Sequence, residues 1–404
     1  MNRRVVVTGI GMVTALGNTA ADTWEGIKNG INGIGQITTF DTAENKVKIA
    51  AEVKIDVGEY IPRNESRRMD RFTQLAIIAA NEAFADSEIS ADNVCLKRCG
   101  TIVSSGIGGM LTHEKEHSKG LEKGFDRVSP FFIPATIIDI AAGYIAINTG
   151  FKGYAVAPVA ACAGGSYAIG DAMRQIRHGY LDVVLCGGSE AAITPLALGG
   201  FTSMKALNET NNINRASIPF DKERSGFVMG EGAGMLMLEE FEHAKKRGAK
   251  IYAEVMGYGA SCDAYHITAP GGEGETAMRT AIEDAGLLPS DIEYINAHGT
   301  STPLNDKCET ESIRNLFSEN LPIVSSTKSM TGHTLGAAGA IEGIFCALAL
   351  RDGFIPPTIN YEKLDEDCNL DVVPNIGRAV KIKCAMSNSF GFGGHNASLV
   401  FGRV

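Results

Sequence analysis

The sequence predicts a layered α/β protein built from two similar halves, and three observations carry that prediction. Apolar runs of strand length alternate with longer segments of helical period, the pattern of sheets covered by helices. Glycine is abundant, 47 of 404 residues, and sits inside apolar segments, where it permits tight turns and close backbone approach. One unit also occurs twice, a strand-like run leading into a buried helix rich in small residues.

The strand-length runs of the first half are 5–8, 100–104, 183–186 and 235–238. A charged segment follows at 240–250, EFEHAKKRGAK, which reads as a surface helix ending at a glycine. The runs then restart at 251–255, 292–296, 323–326 and 397–401, so the halves are 1–249 and 250–404, with the boundary at 247–250. In the first half the run 155–161 leads into CAGGSYAIGDAMRQIRHG. There Ile169, Ala172, Met173 and Ile176 recur at helical spacing, and Arg174, Arg177 and His178 precede Gly179, a helix-end signature. In the second half 323–326 precedes HTLGAAGAIEGIFCALALRDG, with Ile341, Ile344, Phe345 and Leu348 in the same spacing and Arg351 before Gly353. Paired buried helices point to duplication.

Composition removes several function classes. A formal net charge of −10 argues against a nucleic-acid-binding protein, which needs a basic face. The opening MNRRVVVTGIG passes into a run too short and too glycine-broken for a signal peptide or membrane span. Nine cysteines without CxxC pairs speak against a disulfide framework or zinc cage, so no metal site and a reduced, cytoplasmic protein are expected. Gly9-Ile10-Gly11 invites a dinucleotide fingerprint, but Thr14 stands at the third glycine position; that fragment and Gly106-Ile107-Gly108-Gly109 read as turns.

Cys162 stands where a strand gives way to a helix start, between Ala161 and Ala163, with Gly164 and Gly165 following. A helix N-terminus offers unpaired N–H groups and a positive dipole end, from which a lowered thiol pKa is expected. Small neighbours leave room for a carbonyl carbon, the setting of a nucleophile. His298 follows a strand among the hydroxyls of Thr300, Ser301 and Thr302, and His333 lies between a strand and the second buried helix, with Lys328 before it and Glu342 after it. All three fall at strand-to-helix junctions, where sites in layered α/β folds gather. His113, His117, His178 and His243 read as solvated. The C-terminal SNSFGFGGHNASLVF holds Phe390 and Phe392 in a glycine-rich break; from spacing alone it is equally a flexible turn or a backbone N–H presented to an oxyanion.

Taken together, VVVTGIGMVTALG, SIPFDKERSGFVMGEGAGMLMLEE, NAHGTSTPLND, SSTKSMTGHTLGAAGAIE and NSFGFGGHN resemble, end to end and in order, the condensing enzymes of fatty-acid synthesis, most of all the β-ketoacyl-acyl-carrier-protein synthase II type. The resemblance implies a thiolase-like fold, two halves stacked as five layers α-β-α-β-α and paired as a homodimer. It implies that Cys162 takes an acyl chain from acyl carrier protein, and that decarboxylated malonyl-carrier protein then attacks it. His298 and His333 would stabilise the enolate, Lys328 and Glu342 would support them, and the N–H groups of Cys162 and Phe392 would hold the oxyanion. Thr300, Thr302 and Phe390 match substrate-contacting positions, Ile107 and Phe201 border the acyl pocket, and Phe392 matches a mobile gate. Arg63, Arg67, Arg68, Arg127 and Lys205 match carrier-docking positions, with a solvated face as the plain alternative. No cofactor is implied, since phosphopantetheine arrives on the carrier; some relatives hold a cation near Glu342, Ser387 and Asn388. Gly164 stands where the family has serine, which predicts an altered helix start, and His395 stands where several relatives have threonine. A thiolase would need a second cysteine in the C-terminal loop, and Cys384 precedes it; a non-catalytic partner subunit would lack Cys162. A polyketide ketosynthase remains the alternative.

Overall fold

The computed structural model describes residues 3–404. Ten strands form its main sheet: β1 (Val5–Val13), β2 (Cys99–Ser104), β3 (Ala155–Val156), β4 (Val183–Glu190), β5 (Gly232–Glu240), β6 (Ala253–Cys262), β7 (Tyr294–Asn296), β8 (Ile323–Ser325), β9 (Cys384–Gly391) and β10 (His395–Gly402). Their order is β8-β7-β9-β10-β6-β1-β5-β4-β2-β3. Divided between β6 and β1, this is one five-stranded arrangement used twice. In the first set β3, β2 and β4 are parallel, while β5 and β1 add antiparallel. In the second, β8, β7 and β9 are parallel, while β10 and β6 add antiparallel. Only two residue pairs, Val6 with Glu254 and Val7 with Ala253, join the sets. The ladder slips by one residue at Thr8 in β1 and again at Met256 in β6, so even the bulge is duplicated.

The main helices are α1 (Arg71–Asp86), α2 (Gly164–Arg177), α3 (Gly274–Asp284), α4 (Pro303–Phe317) and α5 (Ala338–Asp352). Helices α2 and α5 pack on each other between the two strand sets, while α1 covers the outer face of one set and α3 that of the other. Strand period 2 sorts the side chains accordingly. In β5, Leu236 and Leu238 enter the central core with Ile169 of α2 and Ile344 of α5, while Met235 and Met237 enter the outer core with Leu75 of α1. The layers are therefore helix, sheet, helix, sheet, helix. No helix among the described residues is long and apolar enough to cross a membrane.

Gly9 and Gly11 are neither a nucleotide loop nor the turn expected of them: they lie within β1. A Cβ on Gly9 would sit 2.3 Å from the Ala83 carbonyl oxygen of α1, and one on Gly11 2.0 Å from that of Ala79. Gly257 and Gly259 of β6 repeat the device, each 2.1 Å from a carbonyl oxygen of α3, those of Ala281 and Ala277. The glycines are spacers that let a helix lie on a strand. The second fragment is a turn after β2, with Gly108 at φ +77°. The charged surface helix spans Phe241–Lys246, with Gly248 at φ +73° just beyond it. His113, His117 and His178 are exposed, whereas His243 is half-buried, its Nδ1 2.6 Å from Glu239 Oε1.

Candidate active site

Each central helix is approached through a 3-10 turn, Ala161–Ala163 before α2 and Leu335–Ala337 before α5. Both turns begin on a left-handed residue, Ala161 at φ +46° and Leu335 at φ +47°. Such backbone costs on the order of 1–3 kcal/mol in a non-glycine residue and persists where the surroundings enforce it. The first turn places Cys162 at the end of the parallel strands. Gly164 has helical angles, φ −54° and ψ −42°, at the start of α2. Its room is taken by Ser104, whose Oγ would lie 2.1 Å from a Cβ there.

Cys162, His298 and His333 line a single cavity of about 750 Å³. Thr300, Thr302, Phe201, Phe390, Phe392 and Lys205 line it too. The imidazoles stand edge to face, centroids 5.3 Å apart, with Phe227 packed 5.2 Å from His333 and Phe390 5.8 Å from His298. Burial and the neighbouring Lys328 ammonium hold both histidines well below the ordinary imidazole pKa, so both are neutral. Their Nδ1 atoms are buried without partners. Thr300 and Thr302 share a hydroxyl hydrogen bond of 2.9 Å. Ile107 does not line the cavity; like Phe201, it packs against the apolar cluster that contains Cys162.

The lowered thiol pKa expected of Cys162 is overturned. Burial pushes the thiol up to about 12, against the pull of the Lys328 charge and of hydrogen bonds from the backbone N–H groups of Phe392 and Cys162. Both N–H groups stand against the Cys162 sulfur.

Behind the imidazoles Lys328 donates to Glu342, both fully buried. Burial raises the Glu342 carboxyl while Lys328 opposes it. Sequence reasoning missed Glu309 on α4. Its Oε1 accepts the His298 N–H and its Oε2 the Gly299 N–H, each at 2.8 Å, fixing the histidine's backbone. Burial raises its carboxyl to about 7. The available signal was a helix with acids on its buried face, Asp306 and Glu309. Glu342 Oε2 and Ser387 Oγ are each buried without a hydrogen-bond partner, whereas Asn388 is engaged with Glu309 and Ser398. Of the basic residues, Lys205 is exposed at the cavity edge; Arg63, Arg67 and Arg68 are exposed around the short helix Arg63–Ser66, and Arg127 is exposed further along.

The model of the β-ketoacyl synthase N-terminal domain matches residues 2–244, and that of the C-terminal domain matches 252–362. This chain belongs to the β-ketoacyl synthase family. It is 49% identical to 3-oxoacyl-[acyl-carrier-protein] synthase 2 of Staphylococcus aureus strain N315 over 406 residues, 99% of this chain and 98% of that one. Identity to the protein of the same name from Synechocystis sp. strain PCC 6803 is 48% over 406 residues, with the same coverage. Among solved structures, a β-ketoacyl synthase from Burkholderia phymatum STM815 superposes with TM-score 0.92 at 35% identity, and the ishigamide ketosynthase/chain length factor with TM-score 0.95 at 36%, each covering 100% of both chains. A type II polyketide ketosynthase in complex with its acyl-carrier protein gives TM-score 0.91 at 34% identity, again over 100% of both. The thiolase-like layering expected from the motifs is the fold these structures share.

Proposed function

We propose that this chain elongates acyl chains by two carbons through decarboxylative condensation with malonyl-acyl-carrier protein, as a 3-oxoacyl-acyl-carrier-protein synthase of the second type. The observation that carries this reading is the meeting of one cysteine and two neutral histidines in a single cavity. One neutral imidazole takes the thiol proton as the sulfur attacks the acyl thioester carbonyl, and hands it to the departing carrier sulfur, so that both rings are neutral again. The Cys162 and Phe392 N–H groups hold the oxyanion, the carrier thiol departs, and the acyl group stays on Cys162. Malonyl thioester then loses carbon dioxide; the C–C bonding pair becomes an enolate, whose oxygen receives hydrogen bonds from His298 and His333. The enolate carbon attacks the acyl carbonyl and the Cys162 thiolate leaves. Lys328 and Glu342 keep the site's charge placed.

Acyl carrier protein is the partner, docked through Lys205 with Arg63, Arg67, Arg68 and Arg127, and Thr300 and Thr302 face its pantetheine arm. Ile107 and Phe201 border the acyl pocket, Phe390 contacts the substrate and Phe392 is the gate. The chain pairs as a homodimer, and the two halves of each chain, 1–249 with Cys162 and 250–404 with His298 and His333, together build one site. Strand β3 is a sheet edge, and Ile147 and Val159 near it are exposed at 76% and 55%. Nine unpaired cysteines suit the reducing cytoplasm. The polyketide reading is weaker: the 3-oxoacyl-acyl-carrier-protein synthases match at 48–49%, the type II polyketide ketosynthase at 34%. The test is incubation with acyl-carrier proteins of several lengths plus malonyl-carrier protein. Products longer by two carbons support the proposal; unchanged acyl chains, or repeated extension without reduction, refute it.

A further inference from the structure

One buried carboxylate has no part in the chemistry above. Glu190, the last residue of β4, is fully buried. Its Oε2 accepts the Gly106 N–H at 2.7 Å and the Gly336 N–H at 3.0 Å, and its Oε1 accepts the Ser105 hydroxyl at 2.7 Å and the Ile107 N–H at 3.2 Å. Three of the donors belong to the loop that carries Ile107; the fourth belongs to the turn that follows His333. The two halves are tied at this carboxylate.

The duplication shows what the carboxylate replaces. Gly9 and Gly11 correspond to Gly257 and Gly259, which fixes the match of β1 to β6. Stepping through the paired registers, Glu190 opposite Gly232 falls where Gly391 lies opposite His395. Likewise Gly336 occupies, in the second 3-10 turn, the place of Cys162 in the first. At Gly391 there is no side chain, and a Cβ would come within 3.2 Å of the Cys162 nitrogen and 2.7 Å of the Ala160 oxygen. No carboxylate side chain occupies the N–H of that turn, which faces the Cys162 sulfur instead. In the other half the Gly336 N–H is taken by Glu190. The protein therefore has two equivalent helix-start turns, one open and armed with the thiol, the other closed by the chain's own carboxylate.

We infer that Glu190 is a positioning residue for condensation, an internal anion that fills the non-catalytic turn and so holds the Ile107 loop and the turn after His333 in register across Cys162. The inference rests on the acyl-enzyme reading above, and wild-type condensation in the same assay tests that reading separately. Four donors on one carboxylate leave no oxygen position for a proton donor. Glu190→Gln keeps the size but turns one acceptor into an NH₂ group facing N–H or O–H donors. Its condensation kcat is expected to fall ten-fold or more, with KM for both carrier substrates within two-fold, because the docking face is untouched. A folded Glu190→Gln enzyme with wild-type kcat overturns the inference, as does a KM that rises in step with the loss of kcat. Where Glu190→Gln does not fold, Ser105→Ala decides, since it deletes one donor and leaves the carboxylate. A several-fold fall in kcat at constant KM supports the role, and wild-type kcat refutes it.

Discussion

His298 and His333 meet edge to face, their planes at 83°, although one follows β7 and the other precedes α5. Neither ring is placed by a hydrogen bond to its Nδ1; packing and the backbone hold them, His298 through Glu309 and His333 through its own N–H, which donates to the Val228 carbonyl at 2.7 Å. Two neutral imidazoles can both donate to one developing enolate oxygen, whereas two imidazolium rings at this separation would repel and carry a heavy desolvation cost.

His298→Ala therefore separates the half-reactions. Acyl transfer to Cys162, held by backbone N–H groups, is expected to persist. Malonyl decarboxylation should fall by about 10²–10³, the usual loss for one oxyanion donor. Release of carbon dioxide from malonyl-carrier protein measures the second step, and intact mass the first; normal decarboxylation by the variant would contradict the assignment.

Cys162→Ala should form no acyl adduct by intact mass. The wild-type thiol carries a sharper expectation. With its pKa pushed up to about 12, the thiolate is a small minority at neutral pH. Alkylation of Cys162 by iodoacetamide should then rise roughly ten-fold per pH unit from 7 to 10 without a plateau. A plateau below pH 8, followed by peptide mapping, would show that the helix terminus outweighs burial after all.

Lys328 and Glu342 are 1% and 3% exposed, so neither charge can find water when the other is removed. Lys328→Met should cost about 3–5 kcal/mol by leaving a buried carboxylate alone, while adding Glu342→Gln should return most of it. Denaturant unfolding of the single and double variants measures both. Equal losses in the two would mean that shape, not charge, governs the pair.

Much of this architecture was legible from residue pattern. Strand-length runs and the two small-residue helices marked the layers and the duplication, and junction positions drew attention to Cys162, His298 and His333. What the pattern concealed was proximity. Gly9 and Gly11 read as a turn because nothing local says that α1 lies against β1. The Cys162 thiol read as acidified because the helix start is local, while the enclosure that raises its pKa comes from distant segments. Glu309 and Glu190 escaped notice because a single acid in an apolar stretch becomes informative only once the backbone N–H groups converging on it are known.

The spacer glycines give the most direct test of the duplication. At Gly11 and Gly259 an added methyl meets helix carbonyl oxygens at 2.0 and 2.1 Å, and backbone in a packed helix cannot move aside as a side-chain tip can. Gly11→Ala and Gly259→Ala should each destabilise by about 1–3 kcal/mol, the range for overpacking, and by similar amounts because the two contacts are equivalent. Gly35 has nothing within 4 Å of a built Cβ, so Gly35→Ala should stay within about 0.5 kcal/mol of wild type. Denaturant midpoints for the three variants decide the matter. If Gly11→Ala proved harmless, β1 and α1 would have slack between them, and the strand–helix spacing would not be what selects glycine in either half.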